Sequence, residues 1–156
     1  MEKNEITADN TSTTKNRFLS FVIGNEDFGL EIDVVKEIIN TIDITPVPHT
    51  PGYIRGIMNM RGDIIPVIDV RTRFMMESKP YDDMTCVVVI EEKDYNIGLV
   101  VDSVNEVKFI EEENISPPPS AKLRNVNQFI RNLGRSDGRV MLLVDTQKFL
   151  HDDPQM

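Results

Sequence analysis

The sequence has 156 residues, of which 40% are hydrophobic and 28% charged, so it is long enough for about one domain with an apolar core. Its formal net charge of −9 argues against nucleic acid or an anionic membrane as the main partner, because both require a basic face. The single cysteine, Cys86, excludes a disulfide within the chain and fits a reducing compartment. No signal-peptide or transmembrane pattern occurs, so we expect a cytoplasmic protein.

The N-terminal residues up to Asn16 are polar and have no hydrophobic period, so we expect a disordered tail over residues 1–16. The remaining chain, residues 17–152, predicts one domain. Its first half alternates apolar runs with turn residues, which is typical of short β-strands. The predicted elements of this half are the strands Arg17–Ile23, Phe28–Ile32, Glu37–Asn40, Ile54–Met60 and Ile64–Ile68, with short helical turns after Asp33 and Asp69.

The stretch Ile54–Val70 has the clearest of these patterns, with apolar runs on both sides of Arg61–Asp63. Such a pattern around a glycine-centred turn predicts a β-hairpin. Its second arm, Ile64–Ile68, is apolar on both faces and therefore predicts a strand that is buried from two sides. Pro66 has no N–H to give to a sheet, so we expect this arm at a sheet edge or at a bulge.

The second half of the chain repeats the first, after a polar linker at Lys79–Asp83. Gly98 aligns with Gly29 and Gly138 aligns with Gly62, each in a matching apolar context. The matched sets of five strands predict an all-β protein of two five-stranded barrels, in which either each copy forms one barrel or the copies exchange strands. The predicted elements of this half are the strands Met84–Glu91, Tyr95–Val101, Glu106–Ile110, Gln128–Gly134 and Arg139–Asp145, a helical turn at Asp102–Val104, an exposed loop at Glu111–Val126 and a helix at Thr146–His151.

Residues suited to catalysis or metal binding are sparse. The histidines are His49 and His151, which together with one cysteine give no zinc-site spacing, and both are interpreted as solvated surface residues. Cys86 lies among valines and is interpreted as a small buried hydrophobe, and Glu111–Glu113 as a solvated run. No glycine-rich phosphate loop is present. We therefore expect no enzyme activity, no metal and no cofactor, and the abundance of aliphatic residues favours protein binding.

Three motifs carry a resemblance to a known family. They are Phe28-Gly29-Leu30-Glu31-Ile32, then Thr45-Pro46-Val47-Pro48, and, most specifically, Asn59-Met60-Arg61-Gly62 followed by Ile65-Pro66-Val67-Ile68-Asp69. From about Phe18 to Leu150 the chain resembles the CheW family of bacterial chemotaxis coupling proteins. The resemblance implies two SH3-like five-stranded β-barrels from an internal duplication, with a groove between them and a C-terminal helix. It also implies an adaptor, recruited to membrane receptor arrays, that joins the cytoplasmic tips of chemoreceptors to the regulatory domain of the histidine kinase CheA.

Carried over residue by residue, the resemblance implies a receptor groove that involves Leu19, Ile32, Val35, Ile38 and Val104, with Glu37, Arg61 and Gly62 at its rim. The alternative is that the aliphatic residues belong to the core, that Arg61 only solubilises a turn and that Glu37 is solvated. Kinase contacts are implied on the barrel ends, loosely near Ser116–Ala121 and the middle strands. Competing functions are the regulatory domain of the kinase itself, a coupling protein fused to a receiver domain, and a small enzyme that uses surface carboxylates.

Overall fold

The computed structural model describes residues 15–118 and 128–151, and within these ranges the chain forms eleven strands and two short α-helices. The helices are α1 (Val70–Arg73) and α2 (Thr146–His151), and 3-10 turns occur at Ile32–Val34 and Glu112–Asn114. No helix in these ranges is both long enough and apolar enough to cross a bilayer. The strands are β1 (Arg17–Ile23), β2 (Glu26–Glu31), β3 (Val35–Ile39), β4 (Ile54–Met60), β5 (Asp63–Asp69), β6 (Cys86–Glu92), β7 (Tyr95–Val101), β8 (Ser103–Phe109), β9 (Ile115–Ser116), β10 (Ile130–Ser136) and β11 (Arg139–Val144).

Each of the two sheets combines strands from both sequence copies. The first sheet has the order β8-β1-β2-β11-β10-β9, and the second has the order β3-β6-β7-β5-β4. They form the two SH3-like barrels that the sequence predicted, here called the first and second barrels, with the two-residue β9 as an addition to the first. The hairpin β1–β2 lies with β8, β10 and β11 of the second copy, while β6–β7 lies with β3, β4 and β5. The copies therefore exchange their first hairpins.

Two parallel strand pairs join the exchanged hairpins to their new sheets, and an aligned glycine lies at each. Strand β11 pairs with β2 at Gly29, and β5 pairs with β7 at Gly98. A Cβ atom on Gly29 would come within 2.6 Å of the Met141 sulfur, and one on Gly98 within 2.8 Å of a Val87 methyl group. The matching glycines of the repeat thus leave room for barrel-interior side chains where strands of the two copies meet.

The largest apolar core lies between the barrels and draws residues from both. Strand β6 shows how one strand serves two cores, since Val88 and Ile90 belong to this inter-barrel core while Val87 and Val89 face the interior of the second barrel. This alternation explains the uninterrupted apolar run of β6, because successive side chains on a strand point to opposite faces. The buried residues of the inter-barrel core are Leu19, Phe21, Ile23, Phe28, Leu30, Ile68, Val70, Phe74, Val88, Ile90, Leu99, Val101, Phe129, Ile130, Leu142, Val144 and Phe149.

The two-sided burial that the sequence predicted for Ile64–Ile68 is wrong for the first part of this arm. Ile64 is 59% exposed, and Pro66 on the same face is also exposed. Pro66 lies opposite Ile57, whose N–H and C=O bond Thr45, so this cross-strand pair exchanges no hydrogen bonds. Pairing of β5 with β7 begins only after Pro66. Strand β5 is therefore not an edge strand, but the N–H that Pro66 lacks is not needed for a hydrogen bond to either neighbouring strand.

Other differences concern the ends of elements. The helical turn predicted at Asp102–Val104 is wrong, because β8 begins at Ser103 and pairs with β1. Asn16, assigned to the predicted tail, accepts the N–H of Ile110 and bonds Glu112 through its side chain. Residues 1–14 of that tail lie outside the described residues, as do residues 119–126 of the predicted loop.

Candidate partner-binding groove

Strand β3 carries three of the eight residues that the resemblance assigns to the groove and its rim, namely Val35, Glu37 and Ile38. It is an edge strand in the sheet of the second barrel, and a bulge interrupts its pairing with β6 between Val35 and Glu37. Ile39 packs into the interior of the second barrel, so Ile38 faces outward and is 40% exposed. Before the bulge, Ile32 and Val35 are half-buried against the inter-barrel core. The bulge thus lets one short strand present apolar side chains to two surfaces.

The two charged residues assigned to the rim, Arg61 and Glu37, bind each other. The Arg61 guanidinium donates two hydrogen bonds to the Glu37 carboxylate, with N–O distances of 3.0 and 2.5 Å. This hydrogen bonding to Glu37 raises the pKa of Arg61. Glu37 belongs to β3 and Arg61 to the β4–β5 turn, which lie at opposite ends of the sheet order. The pair therefore closes the second barrel, and neither side chain is only solvated.

The backbone conformation of the β4–β5 turn orients the Arg61 side chain towards Glu37. Arg61 and Gly62 have φ angles of +50° and +93°, the signs that a type I′ hairpin turn requires. The N–H of Gly62 donates to the side-chain oxygen of Asn59 at 2.8 Å and fixes the turn further. In the second copy, Asp137 and Gly138 have φ angles of +55° and +78°, so the aligned turn is of the same type.

The first barrel carries corresponding residues on β8. Val104 lies where β8 pairs with β1, as Val35 lies where β3 pairs with β6, and both valines pack against the inter-barrel core. The β10–β11 turn places the Asp137 carboxylate 3.6 Å from the Lys108 amine of β8. Each barrel is thus closed by an ion pair, but the turn residue is anionic in the first barrel and cationic in the second. An open depression of about 530 Å³ is lined by Val22, Asp27, Val104, Asn105, Glu106, Lys108 and Arg139.

One predicted groove residue is not at the surface, and two exposed apolar residues were missed. Leu19 is 3% exposed and belongs to the inter-barrel core, so a partner has no access to its side chain. Strand β8 instead exposes Val107 at 45% and Phe109 at 48%. The internal repeat could have indicated Val107, because it aligns with the exposed Ile38 of the first copy. It could not have indicated Phe109, because the residue that aligns with Phe109 is the polar Asn40.

An ion pair fixes the chain where β7 of the second barrel leads into β8 of the first. Asp102 accepts hydrogen bonds from the Arg71 side chain at 2.9 and 2.7 Å and from the N–H of Gly24 at 2.8 Å. Burial alone would raise the pKa of Asp102, but the Arg71 and Gly24 hydrogen bonds hold it below the ordinary value of 3.8. Because Gly24 lies in the β1–β2 turn and Arg71 in α1, Asp102 ties the barrels together.

Two other residues considered for chemistry, His151 and Cys86, have structural partners. His151, expected to be solvated, is half exposed and lies 3.3 Å from the Glu92 carboxylate. Cys86 is half-buried, and burial raises the pKa of its thiol, which disfavours a reactive thiolate. The thiol contacts the side-chain oxygen of Asn40 at 3.3 Å. Among the residues that the structure describes, no group of three or more His, Cys, Asp or Glu side chains could hold a metal ion.

Comparison with known proteins gives one consistent family. A family model described as the CheW-like domain matches residues 17–153. The chain is 35% identical to the chemotaxis protein CheW of Klebsiella aerogenes over 141 residues, which cover 90% of this chain and 85% of that protein. It is 30% identical to CheW of Thermotoga maritima over 138 residues, covering 86% and 87% of the two chains. The crystal structure of the scaffolding protein TtCheW from Thermoanaerobacter tengcongensis matches with a TM-score of 0.77 and 32% identity, over 83% of this chain and 88% of that chain. The chain therefore belongs to the CheW-like family of chemotaxis scaffold proteins.

Proposed function

We propose that this protein is an adaptor that links chemoreceptors to the histidine kinase CheA. In this role it binds the helical cytoplasmic tips of the receptors in the groove defined by Ile32, Val35, Ile38 and Val104, and the regulatory domain of the kinase on another surface. Recruitment to receptor arrays at the membrane follows from that binding. The role requires two binding surfaces and no catalytic group.

The observation that carries this proposal is the set of aliphatic side chains left half-buried at the edge of the inter-barrel core. Ile32, Val35 and Val104 pack against that core without being covered by it. A helix that lays its apolar face in a groove covers such residues, because this mode of recognition uses a row of apolar anchors. The Arg61–Glu37 pair at the rim offers both charges to the polar flanks of the same helix.

The kinase domain is proposed to bind the barrel ends away from the groove, near Ser116–Ala121. In the described part of this range, β9 ends the sheet of the first barrel, and Ser116 and Pro117 are exposed. An edge strand has main-chain groups available for another β-rich domain, which supports this location. Residues 119–121 lie outside the described residues, so the proposal names a surface rather than single contacts.

Replacing Val35 with Glu tests the receptor groove. The new carboxylate remains hydrated in the free protein but becomes buried and unpaired when a helix docks, which costs several kcal/mol and lowers the affinity by roughly a hundredfold or more. We expect lost binding to a receptor cytoplasmic fragment, retained binding to the kinase regulatory domain and a melting temperature close to that of the unchanged protein. Val140→Glu is the matched control, because Val140 is a half-exposed valine outside the groove.

Two results would contradict this location of the groove. A Val35→Glu protein that unfolds would show that the valine is sealed in the core. A folded Val35→Glu protein that binds the receptor fragment normally would remove Val35 from the site and weaken the case for Val104. If the unchanged protein binds neither the receptor fragment nor the kinase domain, the adaptor role itself fails.

A further inference from the structure

The short helices α1 and α2 pack against each other between the barrels. They occupy aligned places in the two copies, so that Arg73 of α1 aligns with Phe149 of α2. The Arg73 Nε–H donates to the main-chain carbonyl of Phe149 at 2.7 Å, and the ring of Phe74 meets the ring of Phe149 edge to face at 5.6 Å. Helix α1 follows β5 of the second barrel, and α2 follows β11 of the first. The contact therefore joins the two barrels.

Arg73 is the most deeply placed charged group at this junction. It is 1% exposed, and its guanidinium carbon lies 4.4 Å from the ring centre of Tyr53, 4.7 Å from that of Phe129 and 5.8 Å from that of Phe149. A cation is attracted to aromatic faces more strongly when water is excluded. A planar guanidinium between rings, with a directed hydrogen bond to α2, fixes the relative orientation of the helices more tightly than an apolar contact of the same size.

A second set of contacts joins α2 to the second barrel, through Gln147 and His151 of the helix. The Gln147 side chain donates to the Glu92 carboxylate at 2.8 Å, and the His151 ring contacts the other oxygen of Glu92 at 3.3 Å. Glu92 is the last residue of β6 in the second barrel and is almost buried. Helix α2, which continues from the first barrel, is therefore attached to the second barrel both at Arg73 and at Glu92.

We infer that Arg73 and Gln147 are positioning residues for receptor binding, because by attaching α2 to the second barrel they set the angle between the barrels. This inference rests on the proposed function. Val35 and Ile38 belong to the second barrel and Val104 to the first, so one helix meets all of them only at a fixed angle. The kinase surface proposed near β9 belongs to the first barrel alone. The two attachments therefore affect receptor binding and leave kinase binding unchanged.

Arg73→Met tests the inference, with Arg135→Met on the exposed surface of β10 as the matched control. Methionine keeps the apolar contacts of the stem and removes the charge and the hydrogen bond. Distances between spin labels on the two barrels, introduced as Glu26→Cys and Ile64→Cys in a Cys86→Ser background, report the inter-barrel angle. We expect a broader distance distribution, receptor-fragment binding weakened about tenfold and unchanged kinase binding for Arg73→Met, with no effect of the control.

A folded Arg73→Met protein with the original distance distribution and receptor affinity would overturn the inference. If Arg73→Met does not fold, Gln147→Ala decides, with Lys148→Ala as its control, because both side chains are exposed and their removal leaves the core intact. Broader distances and weaker receptor binding for Gln147→Ala support the inference, and no change overturns it. If the unchanged protein does not bind the receptor fragment, the proposed function fails, while the spin-label distances still decide whether these residues set the angle.

Discussion

At the residue scale, the backbone at Gly62 has a conformation that other residues rarely adopt. Its φ is +93°, and no atom lies within 4 Å of the place a Cβ atom would take, so a side chain there costs strain without a clash. We expect Gly62→Val to lower the free energy of unfolding by about 1–3 kcal/mol, measured by chemical denaturation. Gly52→Val is the matched control, because no atom lies within 4 Å of a Cβ at Gly52 either, and the φ of Gly52 is not in the left-handed region. Equal losses in the two variants would show that the turn is not the cause.

Asp102 gives the protein a specific sensitivity to acid. Its pKa is below the ordinary 3.8 in the folded state, so the stability it contributes is complete well above that pH and is lost as the pH falls through 3.8 and below. We expect Asp102→Asn to be less stable than the unchanged protein at neutral pH, because Arg71 loses its carboxylate partner. Denaturation curves measured from pH 7 to pH 3 should converge towards acid. A constant difference across that range would contradict this role for Asp102.

Single residues also show what sequence patterns leave out. The turn at Gly62 and the strand-packing glycines Gly29 and Gly98 were visible in the repeat because each has an aligned partner. The pairing of Arg61 with Glu37 was not, since the two are 24 residues apart and depend on closure of the barrel. The burial of Leu19 was missed for the same reason: alternation along a strand shows which residues share a face, but not what covers that face.

At the scale of elements, strand β6 supports two cores at once. Val88 faces the inter-barrel core, Val89 faces the interior of the second barrel, and neither has measurable exposure. We expect Val88→Ala and Val89→Ala each to lower the free energy of unfolding by about 2 kcal/mol, because each removes buried methyl groups and leaves a cavity. Val140→Ala, at a half-exposed position of β11, should cost less than about 0.5 kcal/mol. A loss at only one of the two β6 positions would show that the other face is loosely packed.

Most strands were predicted within a few residues, and the errors have physical causes. Met84 was placed in a strand, but β6 begins at Cys86 and Met84 is exposed. The predicted helical turn at Asp102–Val104 rested on an aspartate as a helix cap, whereas the Asp102 carboxylate binds Arg71 and the backbone of Gly24 instead. In contrast, Asp69 does accept the N–H of the third helical residue of α1, as the sequence indicated.

At the scale of the whole molecule, the exchange of hairpins between copies was left open by the sequence. A barrel formed from one copy and a barrel formed by exchange place the same residues on the same faces of the same strands. Hydrophobic alternation therefore fits both arrangements, and only strand pairing distinguishes them. The observed order makes each barrel depend on both halves, since two strands of the first barrel precede the linker at Lys79–Asp83 and the others follow it.

This dependence predicts how the chain responds to being divided at that linker. The N-terminal half would hold β1 and β2 without the strands that flank them, and β3, β4 and β5 without the central pair β6 and β7. Neither half can complete a barrel or form the inter-barrel core, so each alone should lack a cooperative thermal transition and show poorly dispersed amide resonances. Mixing the halves in equal amounts should restore the native spectrum, because the strand pairs that join the two halves can then form between chains. Doubling the concentration of either half alone is the control and should restore nothing. A half that melts cooperatively by itself would mean that one copy can form a barrel without exchange, and that the order of strands seen here is one of two arrangements open to the sequence.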